Sequence, residues 1–280
     1  MIIFLPMTPS AKMIVKWLTY AIVMLAVTAT LGGLFIPNLY RDSIAIKTVW
    51  RGNDAVTLFL LPFLLAAHHH FQNGNQRAAL LWLGLLLYMF YNYAFYLFGA
   101  AFNTFFLIYA GLFSLSLYTF LIGIYHINVK AIGVSVRVPL RAKVTSVFLF
   151  LVALPLATVE LRDCISFIFT GKEPAIPVLV LSLDLTLVIP NTLLSAILLW
   201  RGNQWGYVLS AIMLVKSFTY GMVLVVGTML SGATGVAPRD QLLPFYIFIC
   251  AGGLIFLFLL VNDIKPVFEL KRRKLKVKEI

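Results

Sequence analysis

The sequence has few charged residues. Asp, Glu, Lys and Arg make up only 11% of its 280 residues, whereas soluble domains have about 25%. The hydrophobic fraction is 61% and the mean hydropathy is +0.97. These values exclude a water-soluble globule, and an aromatic fraction of 14% excludes a disordered chain.

Cysteine and signature motifs are also scarce. Cys164 and Cys250 are too few for a disulfide framework and have no metal or redox spacing. There is no GxSxG, P-loop, HExxH or Asp-rich lipid-synthase motif. An enzyme with a known signature is therefore disfavoured, a novel intramembrane enzyme stays open, and the sequence leaves any cofactor unknown. The consecutive His68, His69 and His70 point about 100° apart on a helix, so we interpret them as interfacial residues and not as a metal site.

Long apolar windows dominate what the sequence does contain. A membrane span needs about 20 apolar residues, and windows bounded by polar residues predict an all-α, polytopic membrane protein with eight transmembrane helices. We interpret the first window as an uncleaved helix and not as a secretory signal. The predicted spans are 15–37, 54–71, 78–98, 102–125, 144–161, 177–200, 206–229 and 244–262.

The distribution of basic residues predicts the orientation. With both termini in the cytoplasm, fifteen of the 22 Lys and Arg residues lie on the inner side and six on the outer side. We therefore expect an inner-membrane protein with cytoplasmic termini. In this setting the net charge of +12 indicates contact with the bilayer and not with nucleic acid. The basic tail 263–280 is expected to contact anionic lipid, a small-molecule or ion ligand is the other expected partner, and the sequence leaves a protein partner unknown.

Similar segments suggest an internal duplication. Gly74-Asn75-Gln76 is repeated as Gly202-Asn203-Gln204, and both motifs precede a glycine by the same interval. The alternative is a chance match between apolar sequences. The hypothesis is of two parallel-repeat halves of four helices each, with a site between them. It divides the chain into a first half (1–126), a basic cytoplasmic linker (127–143), a second half (144–262) and the tail (263–280). Within the second half, 165–170 is predicted to be an interfacial or re-entrant piece.

Two ionisable residues lie deep in predicted spans, where they are functional candidates by default. Asp184 lies roughly 10 Å below the outer surface and Lys216 roughly 15 Å from the inner surface, at 1.5 Å per residue. Helices six and seven are joined by a short turn, so an ion pair between Asp184 and Lys216 is predicted. Pro190 should interrupt helix six and displace the carbonyl of Thr186.

Further polar residues extend this candidate site in the outer half of the bundle. Asp54 and Glu160 are placed near the outer ends of helices two and five. The tyrosine-rich run on helix three, taken alone, is interpreted as packing or as an interfacial belt. The predicted substrate- or ion-binding residues are Asp184, Lys216, Asn92, Thr186, Asn191, Asp54, Glu160, Tyr88 and Tyr220.

Three functional hypotheses follow. The first is a permease or carrier for a small solute, ion or lipid. The second is a non-transporting membrane subunit or assembly factor in which the intramembrane charges hold helices together. The third is a retinal-binding protein that uses Lys216 as a Schiff-base lysine. The sequence identifies neither the substrate, the coupling ion nor the oligomeric state.

Overall fold

The computed structural model describes residues 7–129, 139–174, 176–235 and 242–263. Within these ranges the chain has no strand, and eight helices are long and apolar enough to cross a membrane. The prediction of an all-α polytopic membrane protein is confirmed. The helices are α1 (Pro9–Phe35), α2 (Ile44–Gln72), α3 (Gln76–Phe98), α4 (Phe106–Tyr125), α5 (Leu140–Thr170), α6 (Val178–Trp200), α7 (Gln204–Ala233) and α8 (Leu243–Asp263).

Some of the predicted features lie outside the described residues. These are the middle of the basic linker, at 130–138, and the basic tail beyond the end of α8, at 264–280. The proposed contact between the tail and anionic lipid therefore stays a prediction.

Helix α2 begins ten residues earlier than its predicted start at residue 54. Hydropathy windows missed this first segment because its polar side chains are interspersed with apolar ones. On the helix, Arg51 is exposed whereas Trp50 and Asp54 are buried. Asp54 consequently lies about 15 Å inside α2 at 1.5 Å per residue, and its predicted position at the outer end of the helix is wrong.

Helix α5 is also longer than predicted. It continues to Thr170, so residues 165–170 are its last part and the predicted re-entrant piece is wrong. Gly171 ends the helix with a φ of 69°, a conformation that favours glycine, and its amide donates to the carbonyl of Phe167 at 2.8 Å. With 31 residues, α5 is about 46 Å long.

The two Gly-Asn-Gln motifs form matching turns between helices. Gly74 and Gly202 both have positive φ, 85° and 70°. Asn75 and Asn203 both accept hydrogen bonds at the start of the next helix, for example from the amide of Trp205 at 2.9 Å. This turn chemistry accounts for the identity of the motifs without common ancestry. The duplication, and the division into halves, stay predictions.

A π-helical turn interrupts α6, as the sequence had suggested near Pro190. Residues Asp184–Val188 form this wide turn, in which the amide of Ile189 donates to the carbonyl of Asp184. A proline ring clashes with the carbonyl four residues before it in a regular helix. The wide turn lies just before Pro190 and relieves this clash, and such turns are frequent at functional sites.

The chain forms two compact units, and each is described by itself. The first comprises the described residues up to 128 together with those of 214–254, and the second comprises those of 129–213 and from 255 onward. In the first unit, α1 packs on α2 and α4, and α3 packs on the same two helices. Most of α3 is buried. In the second unit, α5 packs along α6, where the hydroxyl of Ser146 donates to the carbonyl of Ala196 at 2.5 Å.

Close glycine contacts bring α7 against α2 and α3 within the first unit. A Cβ atom at Gly84 would overlap the side chain of Val215, and one at Gly52 would lie 3.2 Å from the Cα atom of Gly227. Membrane helices associate through such small residues because lipid supplies little hydrophobic driving force between helices.

We therefore predict that Gly84→Ala lowers the free energy of unfolding, because overpacking costs about 1–3 kcal/mol. Gly111→Ala is the matched control, since a Cβ atom there meets only Leu25 Cδ1 at 3.5 Å, an ordinary contact. It should leave stability unchanged or raise it by up to about 1 kcal/mol through helix propensity. Unfolding in detergent measures both, and equal shifts would contradict the packing.

Candidate functional site

A buried carboxyl group lies among the polar side chains of the first unit. Asp54 is 1% exposed. The hydroxyl of Tyr40 donates to its Oδ2 at 2.5 Å, and the hydroxyl of Tyr96 donates to its Oδ1 at 3.0 Å. Within the described ranges no Lys, Arg or His nitrogen lies within 4.0 Å of this carboxyl. Both of its hydrogen-bond partners are thus uncharged.

Three elements and one glycine position this carboxyl. Asp54 projects from α2, Tyr96 from the C-terminal end of α3, and Tyr40 from the loop between α1 and α2. Gly33 of α1 supplies the remaining space, because a Cβ atom there would collide with both Asp54 Oδ2 and the hydroxyl of Tyr40. Any side chain at position 33 would displace the carboxyl or its partner.

Aromatic rings surround the carboxyl. The ring of Tyr96 lies 4.8 Å from that of Trp50, 5.1 Å from that of Tyr109 and 5.4 Å from that of Tyr93. We call Asp54, Tyr40, Tyr93, Tyr96 and Tyr109 the acid–tyrosine cluster. The Tyr93 hydroxyl is buried without a hydrogen-bond partner in the described part of the chain. The cluster therefore retains hydrogen-bonding capacity beyond the two bonds to Asp54.

The loop that carries Tyr40 is held by a second acid. Asp42 accepts a hydrogen bond from Trp50 Nε1 at 3.2 Å and another from the amide of Ala101 at 3.0 Å. These bonds tie the α1–α2 loop to α2 and to the α3–α4 connection. Burial, reinforced by the nearby Asp54, raises the pKa of Tyr40 well above its usual range. Tyr40 thus keeps its proton and donates to Asp54.

A further hydrogen-bonded group lies one helical turn from Asp54. Thr57 shares a hydrogen bond of 2.7 Å with the hydroxyl of Tyr88, and Asn92 Nδ2 donates to Thr57 Oγ1 at 3.3 Å. The Asn92 side-chain oxygen has no partner among the described residues. The structure thus places three predicted site residues, Asp54, Tyr88 and Asn92, along one α2–α3 seam, while their role in binding stays a prediction.

Lys216 is held by aromatic rings. Its Nζ lies 4.0 Å from the ring centroid of Tyr91 and 4.7 Å from that of Tyr220, which are cation–π contacts within the first unit. Asp184 belongs to the second unit, so the ion pair with Lys216 stays a prediction. The same holds for the Schiff base with retinal.

Four predicted site residues lie in the second unit. Asp184 and Glu160 are buried. Ser146 of α5 contacts Ala196 of α6. Glu160 lies fourteen residues from Ser146, and Asp184 lies twelve residues from Ala196. Because α5 and α6 are joined by a short connection and run antiparallel, the two acids lie at similar depths, about 21 and 18 Å from that contact.

The other two residues of this group bond to their own helix. Thr186 and Asn191 are exposed on α6. The hydroxyl of Thr186 donates to the carbonyl of Ser182 at 2.5 Å, and Asn191 Nδ2 donates to the carbonyl of Leu187 at 2.7 Å. These bonds satisfy carbonyl groups around the π-helical turn. Ligand binding by either residue stays a prediction.

The three consecutive histidines diverge. His68 is buried with its ring 5.4 Å from that of Trp82, whereas His69 and His70 are exposed. Among the described residues, no group of three His, Cys, Asp or Glu side chains is placed to hold a metal ion.

Sequence reasoning missed several residues of the acid–tyrosine cluster. Tyr40 lies in a loop, where no periodicity indicates which side chains turn inward. Tyr96 had a usable signal, because Tyr88, Asn92 and Tyr96 are spaced by four and share one helix face. The tyrosines of α3 are buried, which agrees with the packing interpretation of this run.

We predict that Tyr40→Phe and Tyr96→Phe each lower the free energy of unfolding by about 1–3 kcal/mol, because each leaves a buried carboxyl oxygen without its donor. Tyr118→Phe, on the 61%-exposed Tyr118 of α4, is the matched control and should have no effect. Combining each variant with Asp54→Asn should give less than additive losses, since coupled sites do not add. Losses no larger than that of Tyr118→Phe in detergent melts would contradict these bonds.

No family model, no curated protein and no solved structure matches the chain.

Proposed function

We propose that the chain is a multi-pass membrane permease for a small solute or ion, with its polar site in the outer half of the first unit. The observation that carries this proposal is Asp54. Its carboxyl is buried about 15 Å from the start of a membrane-spanning helix, and its hydrogen-bond donors among the described residues are the neutral Tyr40 and Tyr96. Ionisable side chains at membrane depth are costly and commonly mark substrate or ion pathways.

The surroundings of Asp54 support a binding site that opens toward the loop side of the bundle. Tyr40 covers the carboxyl from the α1–α2 loop, outside the spans, and Asp42 holds that loop in place. Tyrosines combine an apolar ring with a polar hydroxyl, so they suit a site that alternates between an apolar and a hydrated state. In this proposal Tyr40 is the outer barrier and the Thr57–Tyr88–Asn92 group continues the site inward.

The proposed setting is an inner membrane with both termini in the cytoplasm. The excess of basic residues on the inner side supports this orientation. It makes the α1–α2 loop an outer loop. Solute would then reach the acid–tyrosine cluster from the outer aqueous phase.

A non-transporting subunit or assembly factor is the second candidate. Lys216 favours it, because a cation held between Tyr91 and Tyr220 contributes to helix packing without any ligand. Co-purification separates the two candidates. A stoichiometric protein partner would favour the subunit, whereas a stable lone protein that moves solute favours the permease.

We expect the reconstituted protein to transport a solute. Liposomes on a solid-supported membrane would receive pools of amino acids, organic acids, sugars and simple salts in turn while transient currents are recorded. At least one pool should give a current that protein-free liposomes lack. Asp54→Asn should abolish it, whereas Asp163→Asn, which removes the half-buried partner of the exposed Arg162, should retain it. No current with any pool would contradict the permease.

The predicted coupling of Asp184 and Lys216 has a separate test. If they pair in a low-dielectric environment, Asp184→Asn and Lys216→Met should each lower stability by about 3–5 kcal/mol, because each leaves a buried charge uncompensated. The double variant should recover part of the loss. Strictly additive losses in detergent unfolding would contradict the pairing.

A further inference from the structure

We infer that Asp54 binds a proton, and that this proton is the coupling ion of the permease. Proton binding at Asp54 follows from the geometry of the acid–tyrosine cluster. Only the role of the proton in transport rests on the proposed function.

The first step of the argument is charge neutrality. An ionised carboxylate with 1% exposure loses nearly all of its hydration, and two phenol donors do not replace that loss with opposite charge. No basic side chain is close enough to compensate it within the described ranges. The charge must therefore be cancelled by a bound proton or by a bound cation.

The second step distinguishes the proton from a metal cation. A hard cation needs several oxygen atoms that turn their lone pairs toward it. At Asp54, hydroxyl groups already contact both carboxyl oxygens, at 2.5 and 3.0 Å. Gly33 leaves no room on the remaining side, because even one added carbon atom would collide with Oδ2. A proton requires no such space.

The third step identifies Asp54 as the group that exchanges the proton. The other titratable groups around it are phenols: Tyr40 of the loop, Tyr88, Tyr93 and Tyr96 of α3, and Tyr109 of α4. Phenols stay protonated at physiological pH. From α1 the neighbour is Gly33, and Asp42 beyond the rings is engaged by Trp50 and Ala101. A carboxyl is the only type of group in this set that loses its proton far more readily than a phenol.

The fourth step is the route of the proton. Tyr40 lies outside the spans and contacts Oδ2 directly. A hydronium ion from the outer water gives a proton to the Tyr40 oxygen while the original phenol proton passes to Asp54 Oδ2. One O–H bond of the hydronium ion and the original phenol O–H bond break, while a new phenol O–H bond and an O–H bond on the carboxyl form. The products are water, neutral tyrosine and a neutral acid, so charge and atoms balance.

Infrared difference spectroscopy of the reconstituted protein tests this inference. The C=O stretch of a protonated carboxyl would be followed as pH changes at constant salt, and then as sodium replaces choline at constant pH. We expect a band that changes with pH, does not respond to sodium, and is lost in Asp54→Asn but kept in Asp163→Asn. Tyr96→Phe should shift the frequency of the band, because it removes one hydrogen bond from this carboxyl. Tyr40→Phe should delay the appearance of the band after a rapid pH drop.

Several results would overturn the inference. A carboxyl that stays ionised at every pH tested would do so, and displacement of the band by sodium would identify a cation site instead. If Asp54→Asn does not fold, the Tyr96→Phe shift decides, and a band that does not move contradicts the assignment to Asp54. The result that refutes transport is distinct from these. A protein that shows this band but carries no solute current refutes transport and leaves proton binding intact. A solute current without the band refutes proton binding alone.

Discussion

The hydrogen bond between the Tyr40 hydroxyl and the Asp54 carboxyl is the contact on which the first unit depends. It places a loop residue in direct contact with a carboxyl buried inside a membrane helix. Around it, Asp42 fastens the loop and Tyr96 binds the other carboxyl oxygen. A buried acid without such donors would be far less stable at this depth. The loop, the ends of α2 and α3, and the glycine of α1 are therefore parts of one arrangement.

Hydropathy predicted the number and class of the helices because membrane spans depend on apolar length. It failed where polar side chains turn inward along a helix. The start of α2 was missed because its charged residues lower the average hydropathy of the window, which does not distinguish the exposed Arg51 from the buried Asp54. The end of α5 was missed because Arg162 and Asp163 form a short-range ion pair on an uninterrupted helix.

The sequence predicted the candidate site only in part. The acids inside spans could be found because each is chemically unusual there. The sequence could not rank these acids as candidate site residues, because the ranking depends on what each acid contacts. Asp54 was predicted at a helix end, whereas its carboxyl lies inside α2 and accepts hydrogen bonds from Tyr40 and Tyr96. Tyr40 was missed because a loop gives no periodic signal.

The clearance at Gly33 has a mechanical consequence. One missing carbon atom lets α1 pass beside the Asp54 carboxyl, so α1 can neither slide nor rotate there without bringing a side chain against the acid. Thr30 lies one turn before Gly33, and a slide by that distance of about 5 Å would put its hydroxyl and methyl group in the space left for the carboxyl. Any slide or rotation of α1 against α2 would therefore have to move the Asp54 carboxyl or the Tyr40 hydroxyl out of its present position.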